Sequence, residues 1–238
     1  MFEATKCDGV LRLHRPETRW LSTGWDGGMS RADVAYNISV PEGWDSETLH
    51  EYVTDRRQRA GFDSSGPALL TGVDLDHARG ARSGSVEVYT TAGVSNPAAL
   101  PMEPESTSAD SRERDQPVQE QTDFGTVNIM LGTTKALADG ALANLVAVAA
   151  EAKTATLLAR TGFPGTTTDA IVAACDPAGE SVEFSGSGTA VGTATRACVR
   201  EAVTASLASR YPAGGFPTSV EAAEYGTTTD SVAEVFEI

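Results

Sequence analysis

Residues 126–131 read Thr-Val-Asn-Ile-Met-Leu and residues 169–174 read Asp-Ala-Ile-Val-Ala-Ala, with an Ala-, Leu- and Val-rich run from Ala136 to Arg160 between them. Two short apolar runs flank one long run that ends at Gly162 and Pro164, which predicts strand, helix, strand. Pro177 to Gly179 then reads as a turn and Ser181 to Ser185 as a short strand. Gly186-Ser-Gly188-Thr-Ala-Val-Gly192 leads into a second helix from Thr189 to Ala208. This order predicts an α+β fold, a mixed or antiparallel sheet layered with long buried helices. Charge agrees with burial: the chain carries a formal −15, yet Phe124 to Cys175 holds only Lys135, Lys153, Arg160, Asp139, Glu151 and Asp169. An unpaired buried charge is costly, so those that remain need partners or a role.

Towards the N-terminus, Val10 to His14 and Trp20 to Thr23 predict two short strands separated by a turn at Arg15-Pro16. Asp33 to Val40 predicts a third, so an antiparallel meander is expected. A helix capped by Asp45 or Ser46 should bury Leu49, Tyr52 and Val53 and carry Arg56, Arg57 and Arg59 in its last turn. Those arginines read as a dipole-complementing helix end or as an anion patch. Ala68 to Val73 and Ser85 to Ala92 are further strands around a loop with Asp76 and His77, a polar loop more readily than a metal site. Residues 101–124 contain seven acids and two arginines and read as an acidic insertion, expected to join neighbouring strands of one sheet. The tail from 211 to 238 is broken by Gly and Pro and ends in a possible strand at Val232 to Ile238. Its Gly226-Thr-Thr-Thr-Asp230 repeats Gly165-Thr-Thr-Thr-Asp169, which in so short a string reads as coincidence. The 238 residues are expected to form a single domain.

The chain has 33 Asp plus Glu against 18 Lys plus Arg, and only three of the latter are lysines. An acid-rich, lysine-poor surface suits concentrated salt, where carboxylates hold water and ions screen their repulsion, so a salt-loving cytoplasm is expected. The same field argues against a nucleic-acid partner. Cys7, Cys175 and Cys198 have no metal-ligand spacing and fit a reducing compartment. No apolar run of the roughly 18 residues that span a bilayer is evident, nor a basic-then-apolar leader, so no membrane role is expected.

At the centre stands Glu151-Ala-Lys153. On a helix, Glu151 shares a face with Ala147, Val148, Ala155 and Leu158, while Lys153 is turned about 200° towards Ala149, Ala150 and Leu157. A carboxylate on an apolar face suits general acid–base work, and a structural ion pair between helix and neighbour is the equal alternative. Gly165-Thr-Thr-Thr-Asp169 sets hydroxyls and a carboxylate just before a strand. It could orient a water or hold Lys153, or be a turn in which Asp169 caps its own backbone. Gly186-Ser-Gly188 before a helix resembles a phosphate cradle, but lacks the lysine of a P-loop. Tight packing or a neutral ligand is as good a reading. His14, His50 and His77 form no recognisable Ser-His-Asp set.

Gly125-Thr-Val-Asn128, Glu151-Ala-Lys153-Thr-Ala, Gly165-Thr-Thr-Thr-Asp169-Ala and Phe184-Ser-Gly-Ser-Gly188-Thr-Ala-Val-Gly192 together resemble the adenosylcobinamide amidohydrolase family in order and spacing. Gly27-Gly28, Tyr36-Asn37 and Thr91-Ala-Gly93-Val-Ser-Asn96 extend the resemblance over most of Leu11 to Ala208. It implies hydrolysis of the amide joining aminopropanol to the corrin ring of adenosylcobinamide, a corrinoid-salvage step towards coenzyme B12. It also implies no cofactor of the protein's own, since cobalt enters with the substrate. Amide hydrolysis needs an activated water or nucleophile, an oxyanion stabiliser and an acid for the leaving amine. Residue chemistry then nominates Glu151 as base, Lys153 as electrostatic partner or leaving-group acid and Asp169 as orienting carboxylate. Gly27, Gly28, Asn37, Asn128, Thr166, Thr168, Gly186 and Gly188 are the candidate substrate-binding positions. A non-catalytic corrinoid-binding or carrier protein is the alternative.

Overall fold

A bent hairpin sets the architecture. The structure is a computed structural model that describes residues 1–41, 44, 48–103, 126–223 and 225–238. Strand β1 (Glu3–Cys7) turns at Asp8-Gly9, both at positive φ, into β2 (Val10–Ser22), which pairs antiparallel with β3 (Gly28–Ser39). An antiparallel meander is present but differs from the expected one: the two expected short strands are one, and β1, which was not expected, supplies the third strand. In place of a turn at Arg15-Pro16, the β2–β3 register shifts between His14 and Thr18, with Glu17 at φ 57°. A bulge tolerates Pro16 because its residues leave the ladder, and it bends the strand.

After α1 (Leu49–Arg59) come β4 (Ala68–Thr71), β5 (Arg79–Ser83), β6 (Val86–Ala92) and the short β7 (Pro97–Ala99). Residues 127–182 contribute β8 (Val127–Thr133), β9 (Ala136–Leu137), α2 (Asp139–Thr161), β10 (Gly165–Thr166), β11 (Ala170–Cys175) and β12 (Ser181–Val182). Helix α3 (Ala190–Arg210) and β13 (Thr227–Thr228) complete the chain. Strand β5 was not anticipated, and α2 begins at Asp139, because Ala136 and Leu137 pair with β12. The proposed caps Asp45 and Ser46, and residues 104–124 of the expected insertion, lie outside the described residues. The strand just before the insertion is β7, which pairs outside the main sheet, while β6 and β8, the nearest main-sheet strands on either side, are antiparallel neighbours as expected.

The main sheet runs β4-β3-β2-β11-β8-β6-β5, with β1 also on β2. It is mixed: β3–β4 and β8–β11 are parallel pairs crossed over by α1 and α2, and the remaining pairs are antiparallel. The bent hairpin curls the sheet on itself, so that Asn128 on β8 reaches the Leu70 carbonyl on β4 at 2.8 Å. Alternation along the strands then sorts the core. Ile129, Leu131, Ile171 and Ala173 face Leu142, Leu145 and Leu157 of α2 and Val199, Val203 and Leu207 of α3. Met130, Val172 and Ala174 point into the curl against Leu11, Leu13, Trp20 and Leu69. Tyr36 and Ile38 face α1 through Phe62, with Tyr52 and Val53 half-buried beside them. Each such aliphatic side chain, fully buried, contributes about 1.5–3 kcal/mol.

Helix α2 has 23 residues and holds an 18-residue window of mean hydropathy 1.3, long and apolar enough by length and composition to cross a bilayer, where the sequence alone suggested no such run. Its apolar face lies on the sheet. Gly162, at φ 82°, ends it as expected. Arg56 and Arg57 donate to the Asp8 and Ser64 carbonyls and Arg59 pairs with Asp55, so the arginine cluster serves local structure. His77 bonds Ser209 on α3 and Asp76 pairs with Lys6, which makes that loop a docking site for α3.

Residues 232–238 form no strand. The tail pairs earlier, and the repeated string has a shared structural use: Gly165–Thr166 and Thr227–Thr228 flank β7 on opposite sides. Threonine's β-branch suits both as edge additions to a short strand.

Cys7 is exposed and Cys175 and Cys198 are buried; burial, with Glu87 nearby, also pushes the Cys198 thiol up from its ordinary pKa. Ellman titration is therefore expected to label one thiol in native protein and all three in denaturant. Rapid native labelling of a second thiol would contradict this burial.

Candidate functional site

Lys153 leaves α2 on its buried side and Asp169 ends the loop before β11; their charged groups meet in an ion pair with side chains 11% and 10% exposed. The Asp169 carboxylate is saturated. Oδ1 accepts from Val127 N at 2.9 Å and Thr166 Oγ1 at 2.5 Å, and Oδ2 accepts from Thr166 N at 3.1 Å as well as from Lys153. The sequence explains the fit locally. A Cβ on Gly165 would stand 2.9 Å from Asp169 Oδ2 and 3.5 Å from Lys153 Nζ, so the glycine lets backbone close over the pair. Asp169 is thus both the cap of its own loop and the partner of Lys153, two uses the sequence reading had set as alternatives.

Above the pair, Thr167 and Thr168 are exposed, and Thr126 Oγ1 donates to the Thr168 carbonyl at 2.7 Å. Asn96, just before β7, donates through Nδ2 to Thr167 Oγ1 at 2.6 Å, while Thr167 N donates to the Asn96 carbonyl at 3.2 Å. A hydroxyl that accepts this way keeps its own proton to donate outward. Thr126, Thr167 and Asn96 were not among the expected site residues. Their signal was present as polar residues at strand ends, but only the fold brings those ends together.

Asn37 and Asn128 do meet, though not as free amide readers. Asn128 Nδ2 donates to Asn37 Oδ1 at 2.9 Å and to the Leu70 carbonyl, and Asn37 Nδ2 donates to Thr91 Oγ1 at 3.0 Å. Both are almost wholly buried inside the curl. They hold β3, β4, β6 and β8 together beneath the site.

Glu151 is elsewhere. As the helix geometry requires, it points away from Lys153, but the expected apolar surroundings are absent: its side chain is 64% exposed and pairs with Arg196 of α3 at 3.2 Å. The apolar residues near it in sequence did not predict burial because α3 leaves that edge of α2 open to solvent. Gly186 and Gly188 also lie apart from the pair, in an open cleft of ≈ 570 Å³ beside Asn144. Their loop is packed tightly: a Cβ on Gly192 would stand 2.1 Å from the Gly186 carbonyl oxygen, and Thr189 caps Gly192 N at 3.0 Å. Close packing thus explains Gly192, whereas a Cβ at Gly186 would meet only Asn144 Nδ2 at 3.7 Å and one at Gly188 nothing within 4 Å. Gly27 and Gly28 line a third region, a cleft of ≈ 620 Å³ with Trp25, Met29 and His50. No group of three or more His, Cys, Asp or Glu among the described residues is placed to hold a metal ion.

A family model described as adenosylcobinamide amidohydrolase matches residues 2–214. A Halobacterium salinarum protein named adenosylcobinamide amidohydrolase is 60% identical over 238 residues, 99% of each chain. A Methanosarcina mazei protein of the same name is 26% identical over 197 residues, 79% of this chain and 88% of that one. Among solved structures, the PH0078 protein from Pyrococcus horikoshii OT3 aligns with 86% of this chain and 78% of its own at TM-score 0.41 and 14% identity.

Proposed function

The chain belongs to the adenosylcobinamide amidohydrolase family, and from that we propose that it adds water across the amide linking aminopropanol to the corrin ring of adenosylcobinamide. The products are adenosylcobyric acid and aminopropanol. The observation that carries this is 60% identity across 99% of both chains with a relative of that name. Cobalt belongs to the substrate.

The proposed catalytic centre is the Lys153–Asp169 pair under its threonine loop. Asp169, held by four donors, is a poor base but a firm anchor for the Lys153 ammonium. In this reading the ammonium offsets negative charge on the tetrahedral oxygen or assists departure of the amine, where low solvent exposure strengthens its effect. The Thr167 hydroxyl, fixed by Asn96, is the outward donor to the substrate amide. Glu151 is left out of the chemistry because solvent and Arg196 already satisfy it. The acidic composition and the unpaired thiols further support action in a salt-rich, reducing cytoplasm.

Mass spectrometry of adenosylcobinamide incubated with the protein in molar KCl is expected to find aminopropanol and the cobyric acid product, at rates that fall as salt is removed. Tight corrinoid binding without aminopropanol on long incubation would instead identify a carrier. Glu151→Gln should keep turnover within about threefold, and loss of most activity would return Glu151 to the site.

A further inference from the structure

The Trp25–His50 cleft lies outside the charged centre and has the character of a binding site in its own right. Its ≈ 620 Å³ falls in the range of small-molecule clefts. Trp25 and Met29 are 39% and 49% exposed, and the indole stands 6.2 Å from the His50 ring. Chance flexibility does not explain this display. The loop carrying Trp25 is a tight turn, with Asp26 at φ 49°, Gly28 at φ 109° and no room for a Cβ at Gly27, which would meet the Ser22 carbonyl oxygen at 2.5 Å. Holding an indole and a thioether in water is unfavourable, and a flat apolar ring laid on them would relieve that cost.

The cleft is also tied to the charged centre. Its wall includes Ser22, which pairs with Val172 in the β2–β11 ladder, and Thr23 exchanges hydrogen bonds with Ile171 at 2.9 Å in both directions. Asp169 lies three residues from Val172, which at strand spacing is about 10 Å. Hydrogen-bond donors also line the cleft. Arg57 donates one guanidinium N–H to the Ser64 carbonyl at 2.8 Å and has others to offer, and exposed Arg31 adds a second fork.

We infer that this cleft is the corrinoid-docking subsite, with Trp25, Met29 and His50 taking the flat face of the macrocycle, Arg31 and Arg57 its amide side arms, and the aminopropanol arm directed towards Lys153 and Asp169. The assignment rests on the proposed reaction for its ligand. It adds where the ring is held, and it makes Trp25 a specificity residue and not a catalytic one.

Steady-state kinetics on Trp25→Ala test it, because the exposed indole can be removed without opening the core. Loss of one ring-stacking platform is expected to raise KM about tenfold with kcat within about twofold, and Trp25→Phe to recover most of the loss. Met29→Glu, which places a carboxylate under the ring, should shift KM in the same direction. An unchanged KM in Trp25→Ala, or a fall confined to kcat, would overturn the assignment. Failure of the proposed reaction looks different: wild-type protein would release no aminopropanol. Equilibrium dialysis with adenosylcobyric acid then still decides the cleft. Binding lost in Trp25→Ala supports it, and binding retained rejects it.

Discussion

Asp169→Ala is expected to abolish aminopropanol release and to lower the unfolding free energy by about 3–5 kcal/mol, the usual cost of removing one partner from a buried ion pair. The substitution orphans the Lys153 ammonium in an environment where its side chain is 11% exposed, and it leaves Val127 N and Thr166 N without their acceptor. A chain of this size loses about 2–4 °C of melting temperature per kcal/mol, so a fall on the order of 10 °C should accompany the loss. Stability and chemistry are separated by the gentler Asp169→Asn, which keeps the shape and one acceptor oxygen but not the charge. It should melt closer to wild type while turnover still falls at least a hundredfold. Replacing both partners by apolar residues should cost less stability than the sum of the single changes, since no unpaired charge then remains. Asp169→Asn with near-normal turnover would remove the pair from the mechanism and leave it a structural brace.

The second large effect belongs to Asn128. Asn128→Ala removes the donor to both Asn37 Oδ1 and the Leu70 carbonyl, inside the curl and away from water. Each buried group left unsatisfied costs about 1–3 kcal/mol, so a total loss of about 2–5 kcal/mol is expected, read by urea denaturation. That is a large part of the stability of an ordinary domain. Because both asparagine amides are already engaged, folded Asn128→Ala should retain a KM near wild type. A raised KM with little change in stability would mean that Asn128 reads the substrate amide, as its strand-end position in the sequence had implied.

These cases mark how far the sequence could be read. Helix α2 was legible from its length, its apolar composition and its glycine stop, because those are properties of neighbouring residues. The opposed directions of Glu151 and Lys153 were legible for the same reason, since two residues on one helix are set by its pitch. Burial was not: Lys153 is enclosed and Glu151 solvated because of where β10, β11 and α3 happen to lie. The bulge at His14 to Thr18 reads as a turn in the sequence, since Pro16 marks either equally well. The repeat of Gly-Thr-Thr-Thr reads as accidental in the sequence, because its shared use depends on β7 lying between the two copies.

The sequence by itself determined an α+β chain with a nearly neutral, apolar middle, and, through the order of its short motifs, the family to which it belongs. Motif order survives without coordinates because it is a one-dimensional property. Only the tertiary structure decided that Lys153 and Asp169 form one buried pair, that Asn37 and Asn128 satisfy each other, and that Glu151 stands outside. Hydrogen-bond partners and solvent access arise between segments distant in the chain, and the curl of the sheet brings them together.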